Sequence, residues 1–218
     1  MKNIDNKFVL KWLIFFNVIL VFLHIVLNHI FPIHSYTIKH WFDLSAETNI
    51  PTWFSSIQLF SLFSLSVIYA IHLEDIYLRK FYILIGLIFL FFSVDETAMI
   101  HEGITSIFKK LSIHSFFPDA HGLWILVYLI MLIIFSLIFL KGILLFLKEK
   151  NGRAIFIIGA VVFVVGGVGL EVFGYYLRET KPIIYIIEVT VEESFELLGQ
   201  SLMIYALLLK LYPESVTL

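Results

Sequence analysis

The segment Ser93-Val-Asp95-Glu96-Thr-Ala-Met-Ile-His101-Glu102 places three carboxylates and an imidazole at the end of a run, Phe81 to Phe92, that carries no charge. A second cluster, Glu188, Glu192, Glu193 and Glu196, lies in another apolar segment near the C-terminus. Ionisable groups in hydrocarbon are costly; where they occur they face the protein interior and mark a site. Like-charged carboxylates in a low dielectric cannot all ionise, so protons, cations or a metal ion must neutralise them. Carboxylate oxygens with imidazole suit a divalent Zn, Mn or Fe ion, and several carboxylates with few histidines suit a two-metal centre. The ferritin-like repeat of Glu with Glu-x-x-His is absent, as are His-Glu-x-x-His and the spaced histidine boxes of membrane desaturases. The metal reading therefore rests on residue types and shared depth.

Helical phase tells which of these groups can meet. At about 100° per residue, Asp95 and Glu102 fall within about 20° of each other, two turns apart. Glu96 sits about 100° to one side and His101 about 120° to the other, so an ideal helix cannot bring all four to one ion. Either the helix deforms there or His101 addresses a neighbouring helix. Glu188, Glu192 and Glu196 follow i, i+4, i+8 and form one stripe with Gly199, while Glu193 lies off it. The reading that follows assigns Asp95, His101, Glu102, Glu192 and Glu196 as metal ligands, and Glu96 or Glu188 as a base or supporting group. Glu102, Glu171 and Glu188 could equally reach the headgroup region without further purpose.

The elements that must position these groups are membrane helices. The chain has 218 residues, 60% of them hydrophobic, with a mean hydropathy of +0.96; soluble domains are only about 45–50% apolar. The expected fold is all-α, a polytopic bundle of about six transmembrane helices forming one membrane domain over 1–218. A crossing helix needs about 20 apolar residues, and six stretches qualify: 12–31, 52–73, 81–105, 122–147, 154–177 and 184–211. The first follows Lys2, Lys7 and Lys11 but shows no small-residue cleavage site, so it reads as a retained span rather than a signal peptide. With the N-terminus inside, ten Lys and Arg fall on the inner side (2, 7, 11, 79, 80, 141, 148, 150, 153 and 210) and five on the outer (39, 109, 110, 178 and 181). That bias favours both termini in the cytoplasm of a cell whose inner membrane the protein spans. The acidic residues then share the outer half of the bilayer, with His24, Asn28 and His29 closing the first span there and His121 opening the fourth. Net charge is −2 and there is no cysteine, so nucleic acid, thiolate metal sites, iron–sulfur clusters and disulfides have no support.

Around this pocket several residues have plainer readings. His24, His29, His34 and His40 read as interfacial residues. Phe42 to Ser56 is too polar to span, its Trp53 and the adjacent Trp41 suit an interface belt, and Pro51 opens the second span. This segment is either an ordinary connector or a cap over the pocket through which Asp43 or Glu47 reaches inward. The glycine-rich run 166–174 allows close helix approach and would bring Glu171 near the acidic helices.

Glu47-x-Asn49-Ile-Pro-Thr-Trp-Phe-Ser-Ser, Asp95-Glu-x4-His101-Glu102 and Glu192-Glu-x2-Glu196-x2-Gly199 together resemble a family of uncharacterised bacterial six-span membrane proteins. The resemblance covers nearly the whole chain and implies no activity.

Three functions compete. The first is a metal-binding intramembrane protein, an enzyme acting on a lipid or small apolar substrate in the outer leaflet, its metal activating water or dioxygen. A one-sided pocket fits a catalyst better than a carrier, because the inner halves offer few polar groups beyond Ser64, Ser66, Tyr69 and Ser136. The second is a cation or proton transporter, or a homo-oligomeric channel, using the same carboxylates. The third is a non-catalytic subunit with protonated carboxyls.

Overall fold

A computed structural model of the chain describes residues 5–30, 35–111 and 122–213, apart from the side chains at 175, 176, 178, 179 and 182. Phe31, His34 and His121 lie outside the described residues. The elements are all helical: α1 (Asn6–His24), continued by a π-helical turn (Ile25–Ile30), then α2 (Tyr36–Trp41), α3 (Ile50–Ile71), α4 (Ile76–Ala98) and α5 (Ile100–Lys110). After the undescribed stretch come α6 (Leu123–Ile138), α7 (Leu140–Phe146) and α8 (Arg153–Val164). A second π-helical turn (Val165–Leu170), α9 (Glu171–Thr180) and α10 (Pro182–Leu211) complete the chain. Five helices are long and apolar enough to cross a membrane, and a sixth span exists if α6 and α7, bent by 80° at Phe139, are counted together. The expected straight span over 122–147 is thus broken, and the expected span over 81–105 ends at Ala98.

The helix starts follow local chemistry. Asp5 accepts from Phe8 N–H ahead of α1, Asn49 from Thr52 N–H ahead of α3, and Asp75 from Tyr77 and Leu78 N–H ahead of α4. Each satisfies donors that the first helical turn leaves unpaired.

Burial distinguishes α10 from the rest: 56% of its span is buried, against 17–33% for the other four long helices. It therefore forms the axis, with α8, α3 and α1 packed round it and α4 packed mainly on α3. An axial helix can carry acids at low cost because protein, not lipid, surrounds them. The approach of α8 to α10 depends on Gly159 and Gly199; a Cβ on Gly199 would stand 2.6 Å from Phe163 N and 2.7 Å from Gly159 O. By contrast α6 leaves Leu129, Ile130, Leu132, Ile133 and Ile134 exposed around its circumference, as a lipid-bathed helix does.

Two polar assemblies sit inside the apolar core. Midway along the bundle, Gln58 Nε2 donates to Asn17 Oδ1 (3.2 Å), Asn17 Nδ2 to Ser201 Oγ (3.0 Å), and Ser201 Oγ to Gln58 Oε1 (2.8 Å). This closed ring ties α3, α1 and α10 together. Near the chain termini, where Asn6 Nδ2 donates to Tyr212 O, Glu149 accepts from Lys210 Nζ (2.8 Å), Tyr69 Oη (2.8 Å) and Tyr82 Oη (2.5 Å). Asn6 and Tyr212 lie at this end, opposite the acidic residues of α4, α5 and α10.

Candidate metal centre

The phase conflict between Asp95 and His101 is resolved by a break in the helix. Met99 adopts a left-handed conformation (φ 54°, ψ 43°), ending α4 and starting α5. Such a conformation costs a non-glycine residue about 1–2 kcal/mol, and the Asp95 side chain offsets it by capping the new helix. Asp95 Oδ1 accepts from His101 N–H at 2.8 Å and lies 3.2 Å from His101 Nδ1. Tyr128 Oη donates to Asp95 Oδ2 at 2.9 Å, and the Trp124 ring leans on His101 with centroids 5.4 Å apart. With its Nδ1 proton directed at Asp95, His101 leaves Nε2 as the nitrogen for a ligand. Burial disfavours the charged imidazole, but the Asp95 hydrogen bond and charge outweigh it and raise the His101 pKa above 6.5.

The connector before α3 supplies the third element. Asn49 Nδ2 donates to Asp43 O (2.6 Å) and Ala46 O (2.7 Å), and Thr48 takes a positive φ of 60°. This fold of the backbone sends Glu47 toward α5. One ligand atom each of Glu47, His101 and Glu102 can be chosen so that all lie within 4.8 Å of one another, the spacing of donors round an ion. Burial raises the Glu47 pKa, with the His101 charge opposing that rise. Of the five expected ligands, the structure brings His101 and Glu102 into this group. Asp95 stands behind His101, and Glu192 and Glu196 lie outside the compact group.

Those two belong to an acidic chamber behind it. Glu196 has Glu96, Glu171, Glu47 and Asp95 as electrostatic neighbours, and Glu193 has Glu196, Glu96, Glu47 and Glu171. Thus the two clusters do converge. α3 packs extensively against both α4 and α10, whose backbones come close at few points, and side chains bridge the two helices, as where Lys210 Nζ lies 5.8 Å from the Tyr82 ring centroid. The π-helical turn at 165–170 makes room: a Cβ on Gly167 would stand 2.7 Å from Glu196 Oε1. Single π turns within α-helices often occur at functional sites. Farther along α10, Glu192 has Glu171, Glu193 and Glu196 as electrostatic neighbours. Glu188 lies beside Glu192 and against Gly174, with neither oxygen reaching hydrogen-bond geometry among the described residues.

Ser55, a near neighbour of Glu96, accepts from Gln200 Nε2 at 2.9 Å. The polar surroundings of Glu96 thus extend into the bundle. The lone amides Gln58 and Gln200 in apolar spans were the available signal for this; Tyr128 offered none.

The histidines of the first span are partly more than interfacial. His24 is buried; its Nδ1 accepts from Leu44 N–H at 3.0 Å and lies 3.3 Å from Asp43 Oδ1, while Nε2 is 3.3 Å from His29 Nε2. Nδ1 cannot accept from Leu44 and donate to Asp43 at once, so the ring's tautomer selects which partner it bonds. Burial would raise the Asp43 pKa, but the adjacent His24 ring and hydrogen bonds from Ser45 prevail and bring it down to about 2. This knot pins the connector that carries Glu47. His40 only stacks on Tyr36.

Residues 12–211 match the model of a family described as a domain of unknown function, DUF8692. No curated protein and no solved structure matches the chain.

Proposed function

The chain belongs to that family, and we propose that it is a metal-binding membrane protein whose site acts on a lipid or small apolar substrate. The observation that carries this reading is the convergence of Glu47, His101 and Glu102, with His101 held by Asp95. A carboxylate behind a ligating histidine fixes its ring and tautomer, and such partners matter to affinity by about 10–100-fold. Two carboxylates and one imidazole suit Zn, Mn or Fe. An ion held there supplies a Lewis acid that lowers the pKa of bound water. Glu96, an electrostatic neighbour of Glu47, His101 and Asp95, is placed to take a proton from a nucleophile; Glu188, farther along α10, is not, and we assign the base to Glu96 alone. Glu193 and Glu196 hold negative charge or protons behind it. Tyr128 and Trp124 orient Asp95 and His101.

Positive charge gathers at the opposite end, which puts that end in the cytoplasm and the site toward the outer leaflet of the cell membrane. The second reading, a cation or proton transporter, draws support from the buried Asn17–Gln58–Ser201 ring, which carries polar groups to mid-bundle. The ring's bonds close on themselves, however, and on α3 only Ser66 is a buried polar residue between Gln58 and Tyr69. A catalyst with a one-sided site remains the better fit.

Chelator-dependent melting tests the proposal. Ligand bound only to the folded state stabilises it by about 2.7 kcal/mol at a hundredfold excess over Kd, so a chelator should lower the wild-type Tm. His101→Ala and Glu102→Gln should melt identically with and without chelator. A wild-type Tm indifferent to chelator, together with proton flux in liposomes, would favour the transporter.

A further inference from the structure

Along the flank of the bundle, α4, α7 and α8 border an open apolar crevice of about 390 Å³, lined by Phe81, Ile85, Ile143, Phe146, Phe156 and Ala160, among others. It follows α8 from Phe156 to Val165, nine residues or about 13–14 Å at 1.5 Å per residue. That length matches one leaflet of a hydrocarbon core about 30 Å thick. The chain turns by 80° after α6, which lays α7 against α4 and brings Ile143, Phe146 and Leu147 to the crevice wall. Gly142 permits that contact, since a Cβ there would stand 2.7 Å from Phe81 Cβ.

The rim is basic. Lys80 adjoins the lining residue Phe81, Lys148 adjoins Leu147, and Arg153 lies one turn before Ile157. Lys141 rests over the Tyr77 ring, 3.5 Å from its centroid and one turn from Phe81. Lys80, Lys141 and Lys148 are exposed, and the acid nearest in sequence, Glu149, is already held by Lys210, Tyr69 and Tyr82. An apolar crevice about one leaflet long, with exposed lysines next in sequence to its lining residues, complements one kind of molecule. We propose that this crevice binds an anionic phospholipid, an acyl chain along α8 and the phosphate among Lys80, Lys141 and Lys148.

The test uses full-length protein in nanodiscs of phosphatidylglycerol or phosphatidylcholine, with native mass spectrometry for retained lipid and thermal melting for stability. Wild type should retain phosphatidylglycerol in preference to phosphatidylcholine and melt higher in it. Lys141→Gln/Lys148→Gln, both exposed, should cut the preference at least threefold. Ala160→Phe fills the slot and should lose the retained lipid while keeping its α-helical spectrum. Equal retention of the two lipids overturns the proposal. So does an Ala160→Phe protein that still retains phosphatidylglycerol, because cations acting at the surface alone would explain that result. If Ala160→Phe fails to fold, Ile157→Trp serves the same purpose.

Discussion

Adding one methyl group at three glycines separates packing from site geometry. For Gly199→Ala the new Cβ meets backbone on α8, at 2.6 Å from Phe163 N and 2.7 Å from Gly159 O. Backbone cannot rotate away, so the two helices must part by roughly 0.8 Å to regain ordinary contact. Overpacking costs about 1–3 kcal/mol, and contacts to backbone belong at the upper end. Better helix propensity returns about 1 kcal/mol. The net loss of about 2 kcal/mol corresponds to a Tm lowered by about 4–8 °C at this chain length. Gly103 on α5 has nothing within 4 Å of a built Cβ, so Gly103→Ala should raise Tm by about 2–4 °C from propensity alone. Gly167→Ala meets the tip of Glu196, a flexible chain that can yield, and should change Tm by under about 2 °C while displacing that carboxyl. Tryptophan-fluorescence melting in one detergent measures all three. A Gly199→Ala protein melting at or above wild type would refute the packing of α10 on α8.

Breaking the buried pair through Lys210→Met should cost about 3 kcal/mol, since Glu149 keeps its charge without its cation; Lys210→Met/Glu149→Gln should regain part of that Tm, and equal melting of the two would contradict the pairing. Gln58→Leu opens the polar ring and should cost about 1 kcal/mol, given the modest worth of such bonds in membranes, again read as a lower Tm. Asp43, whose pKa is depressed to about 2, contributes stability above its ordinary 3.8 and loses it as pH falls toward 2. Asp43→Asn should therefore melt lower than wild type at pH 5–7, by about 1 kcal/mol after screening, and the gap should close between about pH 4 and 2. A constant gap would dismiss the His24–Asp43 contact. Reporter fusions at residues 2 and 218 should both score cytoplasmic; two periplasmic scores would reverse the orientation.

Hydropathy made the helices legible, and helix phase made the trouble at Asp95–His101 legible, because four polar side chains on one ideal helix cannot share an ion. The form of the solution was not legible: beyond a left-handed Met99, the Asp95 side chain caps His101 N–H from six residues away, and no propensity encodes it. Asp95, Glu188 and Glu192 are buried as their stripes implied, whereas Glu102 is exposed beyond the break at Met99; α3 packs extensively against both α4 and α10. Glu47 was left open since a connector's path depends on tertiary bonds such as Asn49 to Asp43 O. The bend at Phe139 went unseen because apolar residues run through it without a proline, and Lys141-Gly142 just beyond it read as part of one long span.

The most direct test of the metal centre is elemental analysis of detergent-purified protein, wild type beside His101→Ala and Asp95→Asn. The account predicts about one Zn, Mn or Fe per wild-type chain, none in His101→Ala, and a partial content in Asp95→Asn that falls further on dialysis. Folded wild-type protein that carries no divalent metal, and takes up none when any of the three is supplied, would contradict it.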